Sequence, residues 1–431
     1  MGLWITACTA AVVVIGMAYS LWWPAVVRHA SFYWLVPGDL WGTVREAHWV
    51  SSGALSYLYS SGYHLVTFPG MAIVLTPFVV VGTQFHLSES FPHILPILKP
   101  TEWLLLGPVT MACSAIALVG FNALARALGA SSTRRRILCL LESAAFWQVT
   151  VIWGHPEDVI AAGLCAFALA RAIEERDVSA GWLFGAALAF QPLVIAAVPI
   201  LLAFVGRRRA PGLLVRMAIL PGVLLVATVV PNPHATLHVL LTQPNFPTID
   251  HPTPWVLVAP RIARGIVAAG PGRVVGLAAA AALAIPAARS RAHPMAIAWL
   301  VAVALGFRCL FESVMDPYYV APAIGFALVA AVSRRWAWIA VATAASASLT
   351  VVCQLRLGMW PYWLQMVGAF AVLYAAGCPL WGRVPVSRPT DLIPVDASAQ
   401  AGRPAAPVDP VPEYFSAATA RHAHDGSPLL D

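Results

Sequence analysis

The sequence predicts an all-α, polytopic integral membrane protein, because its composition, its hydropathy pattern and the positions of its charges all indicate that class. Of its 431 residues, 60% are hydrophobic and only 10% carry a charge. The mean hydropathy of +0.76 lies well beyond that of soluble globular domains. Apolar runs close to twenty residues long recur along the chain, and an α-helix of that length crosses a bilayer. We expect a helical bundle of about ten to twelve spans, counting re-entrant half-helices.

The formal net charge of +7 fits a membrane protein better than a nucleic-acid-binding protein. Lys99 is the only lysine, and the arginines form short clusters between apolar runs, such as those at 134–136 and 207–209. Arginine clusters between spans mark cytoplasmic loops under the positive-inside rule. We therefore expect a multi-pass protein of the plasma membrane, with membrane lipids around it and no nucleic-acid partner.

The amino-terminal part alternates apolar and polar stretches. The first apolar run, 4–27, lacks a basic start and a small-residue cleavage signature, which predicts an uncleaved anchor. A polar segment rich in aromatic residues follows it, as is typical of a membrane–water boundary. The next apolar run, 65–84, is broken by Pro77. We predict that it is re-entrant, since a third full crossing would place the arginines at 134–136 on the wrong face. An external amino terminus is the alternative.

Proline and glutamine residues interrupt the later apolar runs and indicate where their helices are broken. Residues 181–205 are interrupted by Gln191-Pro192, which indicates either two half-helices meeting at a substrate cavity or a kink in an ordinary span. The many prolines between 231 and 255 predict an extended, rigid loop without regular helix. The remaining spans are predicted at 101–127, 137–153, 159–173, 212–230, 272–288, 294–310, 317–333, 336–354 and 361–379.

Two regions are predicted from these assignments. Residues 1–383 form a transmembrane helical domain with an external loop at 28–64. Residues 384–431 are rich in Pro, Ala, Ser and Asp without apolar periodicity, which predicts a disordered cytoplasmic tail.

Four polar clusters fall where this topology places the outer face. Ionisable groups at or inside a membrane are costly, so each cluster is a candidate for function. The alternative is that external loops are solvated and simply carry charge. The clusters are Asp39 and Glu46 with His48 and His64; His155, Glu157 and Asp158; Asp250 and His251; and Arg308, Glu312 and Asp316 with Tyr318 and Tyr319.

No cofactor is predicted. The sequence has no P-loop, no dinucleotide-binding glycine fingerprint and no HExxH motif. His155, Glu157 and Asp158 are metal-ligating residue types, but their spacing is not diagnostic and Pro156 is expected to break a helical arrangement of ligands. A divalent metal is therefore possible but not indicated. The seven cysteines lie in or beside apolar runs without a CxxC pair, which is typical of buried thiols.

Several short motifs occur in the amino-terminal half: Gly38-Asp39-Leu40, Leu58-Tyr59, Phe68-Pro69 before Thr76-Pro77, and AGWLFGAALAFQP at 180–192. They resemble motifs of the polyprenyl-phosphate-sugar-dependent glycosyltransferases of the C-type superfold. The resemblance covers roughly the first 210 residues and is greatest to actinobacterial mannosyl- and arabinosyltransferase-like proteins of the cell envelope. Gln191 departs from the family pattern, which often has Lys before the proline, and this weakens a phosphate-binding role there.

The resemblance implies transfer of mannose or a pentose from a polyprenyl-phosphate donor to a lipid or glycan acceptor. Asp39, the first acid after the first span, would be the general base, which must lie within hydrogen-bond reach of the acceptor hydroxyl. Glu46 is the alternative base, since seven residues along a helix return to the same face.

The departing phosphate would need cationic or N–H donors. Arg308 is the first candidate, and His64 or His155 the second. An ion pair between Arg308 and Glu312 that only holds helices together is an equally open interpretation of that arginine. The residues predicted to bind substrate are therefore His64, His155, Glu157, Asp158, Arg308 and Glu312.

Two other classes of function stay open. A transporter or lipid flippase also needs broken helices and charges at membrane depth, but the two halves of the sequence show no convincing internal repeat. A non-catalytic scaffold for envelope assembly would be consistent with a disordered tail, but it would give the external acidic residues no function.

Overall fold

The computed structural model describes residues 1–27, 37–60, 68–87, 102–290 and 293–379. These residues are mostly helical, as predicted. The predictions for His64 and for the tail at 384–431 lie outside the described residues. The helices are α1 (Gly2–Val27), α2 (Gly38–Ser51), α3 (Gly70–Gln84), α4 (Trp103–Ala112), α5 (Ser114–Ala127), α6 (Ser132–Trp147), α7 (Pro156–Ile173), α8 (Asp177–Phe190), α9 (Val198–Val205), α10 (Ala210–Val229), α11 (Pro233–Thr242), α12 (Gly270–Ala282), α13 (Ala284–Arg289), α14 (Pro294–Leu310), α15 (Val320–Val332), α16 (Trp336–Val352) and α17 (Met359–Gly377).

Five helical stretches are long and apolar enough to cross a membrane, which supports the membrane assignment. Six shorter apolar helices accompany them in the described part of the chain, so the predicted ten to twelve spans stay a prediction. The five long stretches are Gly2–Trp22, Trp103–Ala127, Ser132–Trp153, Ala210–Val229 and Gly270–Arg289.

The connections between α6, α7 and α8 place the arginines and the polar clusters at opposite helix ends. The arginine triplet opens α6, and the next charged group, Arg171 to Asp177, joins α7 to α8. His155 lies between α6 and α7, and Gln191 follows α8. The Arg134 guanidinium donates hydrogen bonds to the carbonyls of Val332 at 2.7 Å and of Arg334 at 2.6 Å. The arginine ends of α6 and α15 are therefore joined.

Glycines allow α5 and α7 to pack with their backbones in contact. A Cβ atom on Gly163 would lie 2.6 Å from the backbone of Ala117, and one on Gly120 would overlap the carbonyl of Gly163. Small residues at such positions let membrane helices approach closely and gain dispersion contacts. Beside this contact, Phe121 packs against Phe146, with ring centroids 5.6 Å apart.

The predicted break at Gln191-Pro192 is confirmed. Helix α8 ends at Phe190, Gln191 is extended, and a 3-10 turn over Pro192–Ala197 leads into α9. Pro192 lacks the N–H that would continue the helix. The break leaves the Gln191 side chain at the helix end, where it can bind groups on α7.

The prediction of an extended loop without helix between 231 and 255 is wrong in its first half, because α11 forms there. Asn232 caps this helix by accepting a hydrogen bond from Ala235 N at 3.2 Å, and Pro233 occupies its first turn. Proline is well tolerated at that position. The dense prolines begin only at Pro244, after the helix has ended.

Two short antiparallel strand pairs, which the all-α prediction did not include, join loops near the polar clusters. Strand β1 (His251–Pro252) pairs with β4 (Val314–Met315), and β2 (Arg261–Ala263) pairs with β3 (Ile266–Val267). In the first pair His251 lies opposite Met315. The segment that carries Asp250 is thereby held against the segment that carries Asp316.

The α5–α7 contact generates a stability prediction. We expect Gly163→Ala to destabilise the protein by about 1–3 kcal/mol, because its Cβ atom would overpack against helix backbone. The matched control is Gly222→Ala in α10, where an added Cβ meets nothing within 4 Å and where alanine favours helix by up to about 1 kcal/mol. Thermal unfolding of the two detergent-purified variants measures the difference. An unchanged midpoint for Gly163→Ala would contradict this account of the packing.

Candidate functional site

Polar residues from segments far apart in the sequence meet at one end of the bundle. The Asp39 carboxylate at the start of α2 contacts the His155 imidazole, 116 residues later, at 3.1 Å. Asp316, between α14 and α15, interacts electrostatically with both. We call this group the carboxylate site; its members are Asp39, His155, Glu157, Asp158, Asp250, Asp316 and Tyr318.

His155 is the centre of the site, because both ring nitrogens and one ring face are engaged. Its Nδ1 is 2.6 Å from Glu157 Oε1, and its Nε2 is 3.1 Å from Asp39 Oδ2. The Tyr318 ring stacks on the imidazole, with centroids 3.7 Å apart and an interplanar angle of 21°. The Tyr318 hydroxyl donates to Asp316 Oδ2 at 3.1 Å. These contacts fix the ring and link the loops on either side.

Gly154 makes the approach of this loop to α2 possible. Its φ of +73° lies in the left-handed region that favours glycine. A Cβ atom there would lie 2.5 Å from Pro37 Cβ and 2.8 Å from Leu40 Cβ. Any larger residue would therefore push the His155 loop away from Asp39.

The start of α7 orients the two acids that follow His155. Pro156 occupies the first helical turn and begins the helix. His155 therefore precedes the helix, and the three candidate ligands do not form one helical arrangement. Glu157 and Asp158 lie in the same turn, where the helix dipole favours negative charge. Both are buried, at 3% and 1% exposure. Gln191, at the end of α8, donates to Asp158 Oδ1 at 3.0 Å.

The electrostatics of the site are dominated by carboxyl groups around one imidazole. Burial by itself lowers the pKa of His155, but the Glu157 carboxylate and the hydrogen bonds with Asp39 and Glu157 raise it well above its usual range. Burial and the Asp39 charge raise the pKa of Asp316. Burial, the Asp316 charge and hydrogen bonding with Asp316 likewise raise the pKa of Asp250. The site thus favours bound protons or cations.

Asp39 and Glu46 lie on one helix, as predicted, but in different surroundings. The Asp39 side chain is 52% exposed, whereas Glu46 is only 2% exposed. Burial raises the pKa of Glu46 well above its usual range, against the opposing effect of Arg45. Of these two carboxyl groups, Asp39 is therefore the one that is accessible from outside the protein.

Two other charged or titratable residues of α2, Arg45 and His48, contact residues outside the carboxylate site. The Arg45 guanidinium lies over the Trp41 and Trp49 rings, at 4.5 and 4.9 Å from their centroids. His48 Nε2 is 3.8 Å from Glu102 Oε1. The cation–π contacts stabilise α2 internally, and the His48–Glu102 contact joins α2 to the residue before α4.

A second polar cluster surrounds Glu312, and the predicted pair with Arg308 is present within it. Arg273, from α12, also binds this carboxylate, with its Nη2 2.7 Å from Oε1 and its Nε 3.2 Å from Oε2. The Arg308 guanidinium lies 5.1 Å from the centroid of the Tyr319 ring. Two guanidinium groups share one carboxylate, which leaves a single positive charge beside the carboxylate site.

Arg273 is the functional candidate that the sequence analysis missed. It stands at the start of a predicted span, at the end opposite to the arginine clusters. The positive-inside rule predicts that arginines lie at the cytoplasmic ends of spans. Arg273 is predicted to lie at the other end, and this departure from the rule could have identified it as a candidate. Gln243, which also contacts Arg273, carries no such signal.

Comparison with protein families finds no match to this sequence, and comparison with curated proteins finds none either. The function therefore has to be argued from the geometry of the site.

The shared carboxylate of Glu312 generates a second stability prediction. We expect Glu312→Gln to destabilise the protein by about 3–5 kcal/mol, because it leaves two largely buried guanidinium groups without a counter-charge. The matched variant Arg273→Gln keeps the pair between Arg308 and Glu312, so its cost is expected to be smaller. Chemical denaturation of both variants in detergent gives the comparison. Equal stability of the two would show that Glu312 does not compensate both arginines.

Proposed function

We propose that this protein is a membrane glycosyltransferase. It transfers a sugar, mannose or a pentose, from a polyprenyl-phosphate donor to a lipid or glycan acceptor at the outer face of the plasma membrane. The observation that carries the proposal is the half-exposed Asp39 carboxylate, which His155 holds in place among polar loops at one end of an apolar helical bundle.

The location of the site suits a lipid-linked substrate. The carboxylate site lies at the ends of α7, α14 and α15, where apolar helices give way to polar loops. A donor with a polyprenyl chain keeps that chain in the hydrocarbon region, so its phosphate and sugar must be handled at this boundary. The acceptor hydroxyl can reach the same boundary from water.

Asp39 supplies the general base in this mechanism. One carboxylate oxygen, Oδ2, is engaged by His155, and the half-exposed remainder can accept the proton of the acceptor hydroxyl. The acceptor oxygen forms a bond to the anomeric carbon while the bond from that carbon to the phosphate oxygen breaks. The electron pair leaves with polyprenyl phosphate, and the configuration inverts. The proton on Asp39 then passes to solvent.

His155 positions this base. Its contacts with Asp39, Glu157 and Tyr318 fix the imidazole, and the imidazole in turn orients the Asp39 carboxylate. Correct placement of a catalytic group contributes strongly to the rate, because it removes the cost of ordering that group during the reaction. His155 therefore acts through Asp39.

The cluster of Arg273, Arg308 and Glu312 carries one excess positive charge, which we expect to stabilise the leaving phosphate. Both guanidinium groups are occupied by Glu312, so we assign them a field effect on the donor phosphate instead of direct contact with it. Stabilisation of charge that develops on the leaving group is commonly the largest catalytic contribution.

A transporter or flippase is the second candidate, and the break between α8 and α9 favours it. Discontinuous helices with a polar break often line a substrate pathway, and Gln191 at this break contacts the carboxylate site. A transporter moves its substrate unchanged, whereas a transferase consumes the donor. The two candidates therefore differ in the products they leave.

The test is the profile of lipid-linked glycans in a deletion strain that expresses either the wild-type protein or Asp39→Asn. We expect wild type to restore one missing glycolipid, and we expect Asp39→Asn to leave its shorter precursor accumulated, with activity reduced by a factor of about 100 or more. Asparagine keeps the size of the side chain but cannot accept the proton.

The matched control is Glu175→Gln, an exposed acid at the opposite end of the bundle, which should restore the glycolipid fully. Expression of each variant is compared in isolated membranes. Full complementation by Asp39→Asn would remove Asp39 from the mechanism. An unchanged glycan profile in the deletion strain would favour the transporter.

A further inference from the structure

The start of α7 presents an arrangement that the proposed proton transfer does not use. His155, Glu157 and Asp158 each offer one ligand atom, and these atoms lie within 4.8 Å of one another. Within the described residues, Glu157 Oε2 and Asp158 Oδ2 are buried and accept no hydrogen bond. A buried carboxylate oxygen without a donor is costly unless a cation or a proton satisfies it.

The charge of the site gives an independent reason to expect a cation. Asp39, Glu157 and Asp158 lie within 3.8 Å of the His155 imidazole, and Asp316 also interacts with it electrostatically. In their ionised form these acids would repel a donor phosphate, because like charges in a low-dielectric environment interact strongly. The guanidinium groups near Tyr319 are already paired with Glu312. A divalent ion would neutralise the acids at the place where a phosphate must bind.

We propose that His155, Glu157 and Asp158 bind one divalent cation of the Mn²⁺ or Mg²⁺ type. Two carboxylates and one imidazole suit Mn²⁺, since carboxylate ligands select hard cations and imidazole is accepted by most transition metals. Ligands of one such ion lie about 3–3.5 Å apart. His155 Nδ1 is already 2.6 Å from Glu157 Oε1 and 3.8 Å from Asp158 Oδ2, so small side-chain rotations complete the site.

The neighbouring residues supply the contacts that orient metal ligands. A metal-bound imidazole usually donates its other N–H to a carboxylate, and His155 Nε2 contacts Asp39 in this way. Gln191 holds Asp158 through Oδ1 and leaves Oδ2 for the ion. The cation takes the place of the proton that Nδ1 shares with Glu157, and that proton passes to solvent. The ion's role in binding the donor phosphate rests on the proposed function, whereas the cation site itself does not.

The test is Mn²⁺ binding to the metal-stripped, full-length protein in detergent. The loss of the free Mn²⁺ signal in electron paramagnetic resonance reports the bound ion. We expect one site per chain in the wild type, and at least tenfold weaker binding in Asp158→Asn and in Glu157→Gln. Each variant replaces one anionic carboxylate ligand with a neutral amide, so either one tests the site if the other does not fold.

The matched control is Asp250→Asn, which removes a nearby acid that is not a ligand. It should weaken Mn²⁺ binding by less than about threefold, because loss of one more distant charge changes only the local field. Equal weakening by Asp250→Asn would show that the ion is attracted by charge alone, and the site would be rejected. The absence of stoichiometric binding to the wild type would reject it as well.

A transfer assay in the presence of a chelator separates this inference from the proposed function. Sugar transfer that continues without bound metal contradicts the ion's role in binding the donor phosphate and leaves the transferase proposal intact. Stoichiometric Mn²⁺ binding together with full complementation by Asp39→Asn supports the cation site and contradicts the mechanism. Loss of transfer on chelation, with recovery on adding Mn²⁺, supports both.

Discussion

The contact of His155 with Asp39 and Glu157 holds the candidate site together. It joins the amino-terminal helix α2 to the start of α7 through hydrogen bonds to two carboxyl groups. Hydrogen bonds to charged groups typically contribute about 1.5–3 kcal/mol each, and the exposed position of Asp39 reduces its share. The stacked Tyr318 ring extends the connection to the loop before α15. Without the imidazole, the carboxylates on these three segments would repel one another.

The helices and loops around this contact allow the segments that carry the site residues to approach one another closely. Gly154 allows the His155 loop to lie against α2, and Gly163 allows α7 to lie against α5. The pairing of His251 with Met315 holds the loop of Asp250 beside that of Asp316. Each of these features brings the segments of the site close together, but none of them contributes a reactive group. Together they place several acids in a space where burial and the neighbouring carboxylate charges raise the pKa values of Asp250 and Asp316.

Much of this organisation is predictable from the sequence, and the remainder is missed for physical reasons. Hydropathy predicts the helical membrane class, and the cost of burying charge singles out the residues that form the carboxylate site. Sequence cannot show that Asp39 contacts His155 instead of His48, because that contact spans 116 positions and depends on packing. Helix α11 was missed because the prolines of 231–255 were treated as one group, whereas Pro233 lies in the first turn of a helix that Asn232 caps and that ends before Pro244. The role of Arg273 depends on Glu312, 39 residues away.

A double-mutant cycle between Asp39 and His155 tests most directly whether these two residues form one unit. The free energy of unfolding is measured for wild type, Asp39→Asn, His155→Gln and the double variant in detergent. The account predicts a coupling energy of about 0.5–3 kcal/mol, as expected for residues in one hydrogen-bonded network. Additive effects would contradict it, because α2 and the His155 loop would then be held in place independently and the site would not depend on their contact.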